Sequence, residues 1–163
     1  MAKAAAGGTP AVRFLEAQGA AFTLHEYDFE APPGAIGLKA AAALGVEPAR
    51  MLKTLMAVLD GGEMVAALVP VDRELDLKAL AAAAGAKRAA MAEVKAAERA
   101  TGYVKGGISP FAQRRPHRIF LDASATAHPT VLVNGGRRGL QIELAPTVLR
   151  ALTGAEVGEI GRG

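Results

Sequence analysis

The chain contains no cysteine and no tryptophan, and its aromatics are limited to five Phe and two Tyr in 163 residues. The missing thiol excludes a disulfide framework, a Cys-ligated zinc or iron–sulfur centre and a cysteine nucleophile. Long hydrophobic runs are lacking too, since no window approaches the roughly 18 uninterrupted apolar residues of a membrane helix. The stretch from Met1 to Gly8 has one Lys and no sustained apolar segment, so it reads as a flexible lead-in over 1–8 rather than a signal peptide. The cytoplasm is the expected compartment, with no membrane partner. No strong excess of one charge exists overall: 19 Lys/Arg stand against 16 Asp/Glu, a formal +3.

What is present supports a folded α/β protein. Hydrophobic residues make up 51%, although 37 of them are alanine. The remaining Leu, Val, Ile, Met and aromatics suffice for one compact core, and apolar periodicity runs nearly end to end, which excludes overall disorder. At about 100–150 residues per typical domain, 9–163 reads as a single domain. The charge is uneven along the chain. Residues 1–103 carry 11 Lys/Arg and 12 Asp/Glu, whereas 104–163 carry 8 and 4, a local excess of +4. That excess concentrates in Arg114, Arg115, Arg118, Arg137 and Arg138. Such a cluster is either a solvated face or the footprint of an anionic partner, nucleic acid first.

Local signals lay out the elements. Thr9-Pro10 is an N-cap followed by proline at the first helical position, opening a helix that stops at Gly19. A strand is expected over 21–27, a loop over 30–34 and a helix over 36–44 closed by Gly45. Residues 51–59 and 63–69 read as a hairpin around Asp60-Gly61-Gly62. Asp76 caps a helix over 77–84, and a short strand near 86–91 precedes a helix over 93–101. The glycine-rich 102–110 is irregular. A strand over 118–122 follows, then a hairpin of 130–133 with 139–144, a helix over 146–152 and a short strand over 156–160. Hairpins outnumber strict βαβ units. The fold class is therefore mixed α+β, a largely antiparallel or mixed curved sheet or partial barrel with flanking helices, not a doubly wound sheet.

Three places could carry chemistry. Lys53 interrupts the otherwise apolar run from Met51 to Leu59. It is either a strand-end lysine that snorkels to solvent, or a half-buried cation that binds a phosphate or carbonyl or has a lowered pKa. Lys53-Thr54 lacks the upstream glycines of a Walker motif, so a nucleotide loop is excluded. Gly106-Gly107-Ile108-Ser109-Pro110 is either a tight connection or a loop whose amides approach an anion or oxyanion. Ser109 has no Gly-x-Ser-x-Gly elbow, so a serine triad is unsupported. Asn134-Gly135-Gly136-Arg137-Arg138-Gly139 is a hairpin turn that places two arginines for phosphates. His25, His117 and His128 have no metal-ligand spacing, and neither a metal nor a cofactor is expected.

These residues together resemble the YbaK/EbsC family of aminoacyl-tRNA deacylases, related to the editing domain of bacterial prolyl-tRNA synthetases. The resemblance runs through Thr9-Pro10-Ala11-Val12, Leu15-Glu16, His25-x-Tyr27, Lys53-Thr54-Leu55, Leu75-Asp76-Leu77-Lys78 and Gly85-Ala86-Lys87. Its most specific part is Thr101-Gly102-Tyr103 leading into Gly106-Gly107-Ile108-Ser109-Pro110-Phe111. Gly135-Gly136-Arg137-Arg138-Gly139-Leu140 and Ile142-Glu143-Leu144 complete it, so order and spacing hold over about 9–160.

The resemblance implies a free-standing trans-editing hydrolase acting on mischarged tRNA(Pro), with cysteine as the foremost amino acid and alanine or serine as alternatives. A non-catalytic tRNA- or synthetase-binding module is the reading from another class. It implies catalytic positions at Lys53, Gly106, Gly107, Ile108 and Ser109. Substrate contacts are implied at Tyr27, Thr54, Pro110, Asn134, Gly135 and Gln141, and tRNA contacts at Arg114, Arg115, Arg137 and Arg138. With cysteine, the substrate thiol would attack its own ester in a lyase-like cyclisation. Prolyl-tRNA synthetase is a further partner, and a monomer is adequate. This chain departs from the family at three positions: Leu52 where Phe or Tyr is familiar, Asn134 where Ser is frequent, and Gln141 where Asp is frequent. Gln141 removes a negative charge, which bears on the amino-acid preference and on any acid–base role there.

Overall fold

A computed structural model describes the protein over residues 8–28 and 36–163; the expected lead-in (Gly8 apart) and the loop over 30–34 lie outside the described residues. Helix α1 (Pro10–Ala17) starts where the sequence directs, with the Thr9 hydroxyl accepting from the Val12 amide at 3.2 Å. Strand β1 (Thr23–Glu26) is shorter than expected, and α2 (Ile36–Leu44) follows. A 3-10 turn (Pro48–Arg50) leads into β2 (Leu52–Leu59), which pairs in antiparallel fashion with β3 (Met64–Pro70). Next come β4 (Glu74–Leu75), α3 (Leu77–Ala84), β5 (Ala89–Met91) and α4 (Val94–Thr101). Strand β6 (Arg118–Asp122), β7 (Val131–Asn134), β8 (Leu140–Leu144), α5 (Pro146–Thr153), β9 (Glu156–Gly158) and β10 (Gly161–Arg162) complete the described chain.

The strands form a five-stranded mixed sheet in the order β5-β2-β3-β6-β9, a three-stranded antiparallel sheet β1-β8-β7 and the small pair β10-β4. In the large sheet β3-β6 and β6-β9 are parallel, so crossover connections are more prominent than the hairpin pattern suggests. A parallel bridge from Met51 to Leu132 joins the two main sheets at one corner, which curves the assembly without closing a barrel.

The apolar character of β3 follows from burial on both faces. Ala66 and Leu68 enter a core with Val12, Leu15, Ile119, Leu121 and the inner face of the three-stranded sheet. Val65, Ala67 and Val69 enter a second core with Leu80 of α3, Phe120 and Ile160. A third, smaller cluster places Ala40 and Ala41 of α2 over Met51, Val71 and Leu132. Gly37 on the same helix permits the close approach: a Cβ there would stand 2.6 Å from Val71 Cγ1.

One gap in the pairing positions the site. Strand β5 covers β2 only from Ala57 to Leu59, leaving the first half of β2 without a ladder partner on that side. Helix α2, the 105–108 loop and the β7-β8 hairpin gather around that edge.

Candidate active site

A cavity of about 280 Å³ lies against the uncovered edge of β2. Lys53, Thr54, Gly106, Ile108, Tyr27, Asn134 and Gln141 line it, so seven of the sequence-picked positions converge from five separate segments. Register explains part of this. Asn134 and His25 both stand directly opposite Gln141, and opposed residues share a face of the sheet. Tyr27 extends β1 by one further bond, its amide donating to the Gly139 carbonyl at 3.0 Å.

Lys53 is half-buried, and no carboxylate lies within 4 Å of it among the described residues. Burial pushes its pKa below that of a free lysine, while the more distant Glu74 and Asp72 pull the other way and only partly offset this. It is therefore the half-buried cation and not the snorkelling surface lysine. Around it, three buried polar atoms have no hydrogen-bond partner among the described residues: Tyr27 OH, Thr54 Oγ1 and Gln141 Oε1. All three belong to cavity-lining residues. Each such group costs about 1–3 kcal/mol when left unpaired, so their gathering at one place marks a surface built for a polar ligand.

The remaining picks do not line the cavity; they hold its wall. A Cβ on Gly107 would lie 2.9 Å from Arg137 Cα and 3.0 Å from Arg138 N, so the loop rests flat on the hairpin backbone. The Gly107 amide donates to the Val104 carbonyl at 2.8 Å, which removes it from any anion-binding role. Ser109 is fully buried and its Oγ accepts from the Phe111 amide at 3.2 Å, so this hydroxyl braces the turn and is not presented to a substrate. Pro110 is buried beside it. Gly135 and Gly136 permit the close approach of Leu140, Tyr103 and Thr9, and the Thr9 hydroxyl donates to the Gly135 carbonyl at 2.5 Å. Asn134 ties the two walls together: Nδ2 donates to the Gly106 and Arg137 carbonyls, both at 3.2 Å, while Oδ1 accepts from the Gly136 amide at 2.6 Å. Tyr103 is buried, donates to the Phe111 carbonyl at 2.6 Å, and has its pKa raised to about 12 by desolvation.

The basic residues divide. Arg138 is exposed and its Nε donates to the carbonyl of Lys105, itself a cavity residue, at 2.9 Å. Arg137 is partly exposed and pairs with Glu26 at 2.6 Å, which offsets its charge. Arg114 and Arg115 are exposed but hang from the far end of α4 through their amides to Thr101 and Ala100. An eight-residue helix spans about 12 Å, which separates them from Val94 at the cavity mouth. Arg118 is occupied: it lies 5.1 Å above the Phe120 ring and faces Glu63 and Glu156.

Sequence reasoning missed the mouth of the cavity. Leu38, Met91, Val94 and Val104 are 44–56% exposed and are four of the five exposed large hydrophobics among the described residues. The first three line the cavity, and Val104 adjoins Lys105. They come from three separate elements and one loop, so no periodicity flags them as a group. Among the described residues no cluster of three or more His, Cys, Asp or Glu could hold a metal ion. Likewise, no helix among them is long and apolar enough to cross a membrane.

Comparison with known proteins bears on the family and the fold. A protein of Enterococcus faecalis named "Putative Cys-tRNA(Pro)/Cys-tRNA(Cys) deacylase EbsC" is 38% identical over 136 residues, covering 83% of each chain. The crystal structure of "a putative trans-editing enzyme for prolyl tRNA synthetase" superposes with a TM-score of 0.81 at 27% identity, over 94% of this chain and 98% of that one. A structure described as a hypothetical protein gives a TM-score of 0.83 at 27% identity, over 94% and 99%. The mixed fold is thus that of the editing-domain structures, and the model of the aminoacyl-tRNA editing domain matches residues 32–159. With most of its length inside that match, the chain belongs to the aminoacyl-tRNA editing domain family.

Proposed function

We propose that this protein is a free-standing deacylase that removes a wrongly attached small amino acid from tRNA(Pro), cysteine before alanine or serine. The observation that carries the reading is the meeting of Lys53 with three polar atoms, unpartnered among the described residues, in one small cavity. Its mouth combines exposed apolar side chains with Lys105 and Arg138. A cavity of about 280 Å³ stands at the small end of ligand pockets, which run from about 300 to 1,000 Å³, and has room for an aminoacyl group. Apolar side chains at the rim offer stacking surface for a terminal base, and neighbouring cations offer contacts for phosphate. A synthetase selecting proline discriminates poorly against small or similar side chains, and a second hydrolytic site is the physical remedy.

In this reading Tyr27, Thr54 and Gln141 contact the amino acid, and Asn134 holds the Gly106 loop beside it. Gly106 and Ile108 present the amides nearest the ester, while Gly107, Ser109, Pro110 and Gly135 shape the wall. With cysteine, the substrate sulfur attacks its own ester carbonyl carbon. A sulfur–carbon bond forms, the carbon–oxygen bond to the ribose breaks, and the one proton that the thiol gives up balances the one that the leaving ribose oxygen takes up. Water then opens the cyclic thioester to free cysteine. In this reading the Lys53 ammonium stabilises the developing oxyanion, or protonates that leaving oxygen and recovers a proton from the thiol. Its lowered pKa makes it a better proton donor than an exposed lysine. Positioning and electrostatics supply the catalysis.

The test is deacylation of tRNA(Pro) charged with cysteine, alanine or serine. Wild type is expected to release at least one amino acid well above the buffer rate, and Lys53→Ala is not. Wild-type rates at background on all three sink the deacylase reading and leave the binding-module alternative. S-methylcysteine on the same tRNA isolates the thiol, and cleavage as fast as for cysteine rules out cyclisation. Replacing Arg137 and Arg138 with Ala is expected to weaken tRNA binding and flatten its salt dependence. Unchanged binding at low salt removes that role. Arg114 and Arg115 form a separate patch for the tRNA body in this proposal. The protein acts as a monomer, with prolyl-tRNA synthetase as the partner that supplies tRNA selectivity.

A further inference from the structure

Behind the cavity wall sits a side chain that no motif pointed to. Gln113 Nε2 donates to the Ser109 carbonyl at 3.0 Å and stands 3.8 Å from Met56 Sδ. Ser109 closes the glycine loop, and Met56 lines the cavity from β2. One amide therefore spans the two walls of the site from the rear. Its other end is held as well: Gln113 Oε1 lies 2.7 Å from His117 Nδ1.

These contacts fix orientations. Because Nε2 is used on an acceptor carbonyl, Oε1 faces the imidazole, and Nδ1 must carry the hydrogen. His117 in turn lines a second, shallower cavity with Glu63, Met64, Pro116, Arg118 and Glu156. The Nδ1 hydrogen is present in that neutral tautomer and in the imidazolium alike, so the bond to Gln113 does not depend on the charge of the ring. His117 is thus an anchor rather than a titrating switch.

We propose that Gln113, oriented by His117, is a positioning residue for the deacylation site: it sets the height of the Ser109 carbonyl, and through it the aim of the Gly106 and Ile108 segment into the cavity. This rests on the deacylase reading above. Neither side chain lines that cavity, so both act through the loop and not on substrate.

The substitutions separate positioning from simple packing. Gln113→Glu keeps size and shape but puts a carboxylate oxygen against the Ser109 carbonyl, so the loop is repelled. It is expected to lower kcat on the best substrate by about tenfold to hundredfold, the scale of a misplacement near 1 Å. KM should change less than threefold. His117→Asn, whose amide nitrogen stands in the place of Nδ1 and again donates to Gln113 Oε1, is expected to keep kcat within about threefold of wild type, and His117→Phe to lose tenfold or more. Amide hydrogen exchange at Gly106 and Ile108, measured without substrate, should accelerate in Gln113→Glu and His117→Phe but not in His117→Asn. Wild-type kcat and unchanged loop exchange in Gln113→Glu overturn the proposal. So does equal impairment in His117→Asn and His117→Phe, which would mean the ring only fills space. An inactive wild type would instead defeat the deacylase reading, and the exchange measurement would still decide whether Gln113 holds the loop.

Discussion

Replacing Lys53 with Met should make the protein more stable and much less active. The two side chains are similar in length, so the change removes charge while leaving the shape of β2 almost intact. Lys53 is half-buried, makes no ion pair within 4 Å among the described residues, and loses more to desolvation than Glu74 and Asp72 return. Its folded-state pKa therefore lies below the ordinary 10.5. Between that lowered value and 10.5 the unfolded chain binds more protons than the folded one, so stability rises with pH across the window. Below the window both states are protonated and the cost of burying the cation is present in full. At pH 7 Lys53→Met escapes that cost, with an expected gain of about 0.5–2 kcal/mol. For a chain of this length that corresponds to a Tm higher by roughly 1–8 °C. Deacylation should fall by about 10²–10³-fold, the usual loss when a group that stabilises transition-state charge is removed.

Thermal unfolding of the two proteins at pH 7 and at stepped pH up to 10, beside single-turnover deacylation, provides the check. The difference between them isolates Lys53, because every other titrating group is shared. The stability gap should narrow as pH rises. A variant less stable than wild type at pH 7, or a gap independent of pH, refutes the desolvation argument. Activity retained within threefold refutes the catalytic assignment.

Three further outcomes test other parts of the structure. Gly107→Ala drives a Cβ to 2.9–3.0 Å from the backbone of Arg137 and Arg138, so it should cost about 1–3 kcal/mol and open the cavity wall. Gly158→Ala, with 3.6 Å to its nearest neighbour, should be neutral or slightly stabilising, and equal melting of the two variants would contradict the close packing. Thr54→Val removes an unpartnered hydroxyl at nearly constant volume, so stability should hold or rise while KM increases. Loss of kcat to background with KM unchanged would instead make Thr54 the nucleophile. The Thr130 hydroxyl, then His25, holds the Glu143 carboxyl below its ordinary pKa. That stability is present above the ordinary carboxylate pKa and is lost as pH falls through the lowered one. Acid unfolding should therefore be less steep in Glu143→Gln, and superimposable acid limbs would remove this contribution.

Most elements were legible because their ends are chemically marked. Thr9-Pro10 and Asp76 cap helices through side-chain oxygens, and Gly85, Gly102 and Gly154 end them in left-handed conformations. The strand over 118–122 was readable from its apolar run alone. What escaped was long-range or very short. The two-residue strands β4 and β10 have no periodicity to detect, and they pair across about half of the chain. The parallel pairing of β3 with β6 depends on a crossover that local pattern does not encode.

The site was legible as a list of residues but not as a division of labour. Glycines 106 and 107 are adjacent and chemically identical, yet one lines the cavity while the other is pressed against the hairpin with its amide already used. Thr54 and Ser109 both carry hydroxyls, and only the first is left without a partner. Both kinds stand in the same motifs, so the sequence does not tell a wall residue from a contact. Separating them requires knowing where each hydrogen bond goes, which is a tertiary fact. Gln113 shows the complementary case: its side chain joins two walls of the site from behind, and it stands four residues beyond Ser109, outside the loop that drew attention. A polar side chain half-buried behind a glycine loop, with both ends bonded, is therefore a more informative sign of a positioned site than another glycine within it.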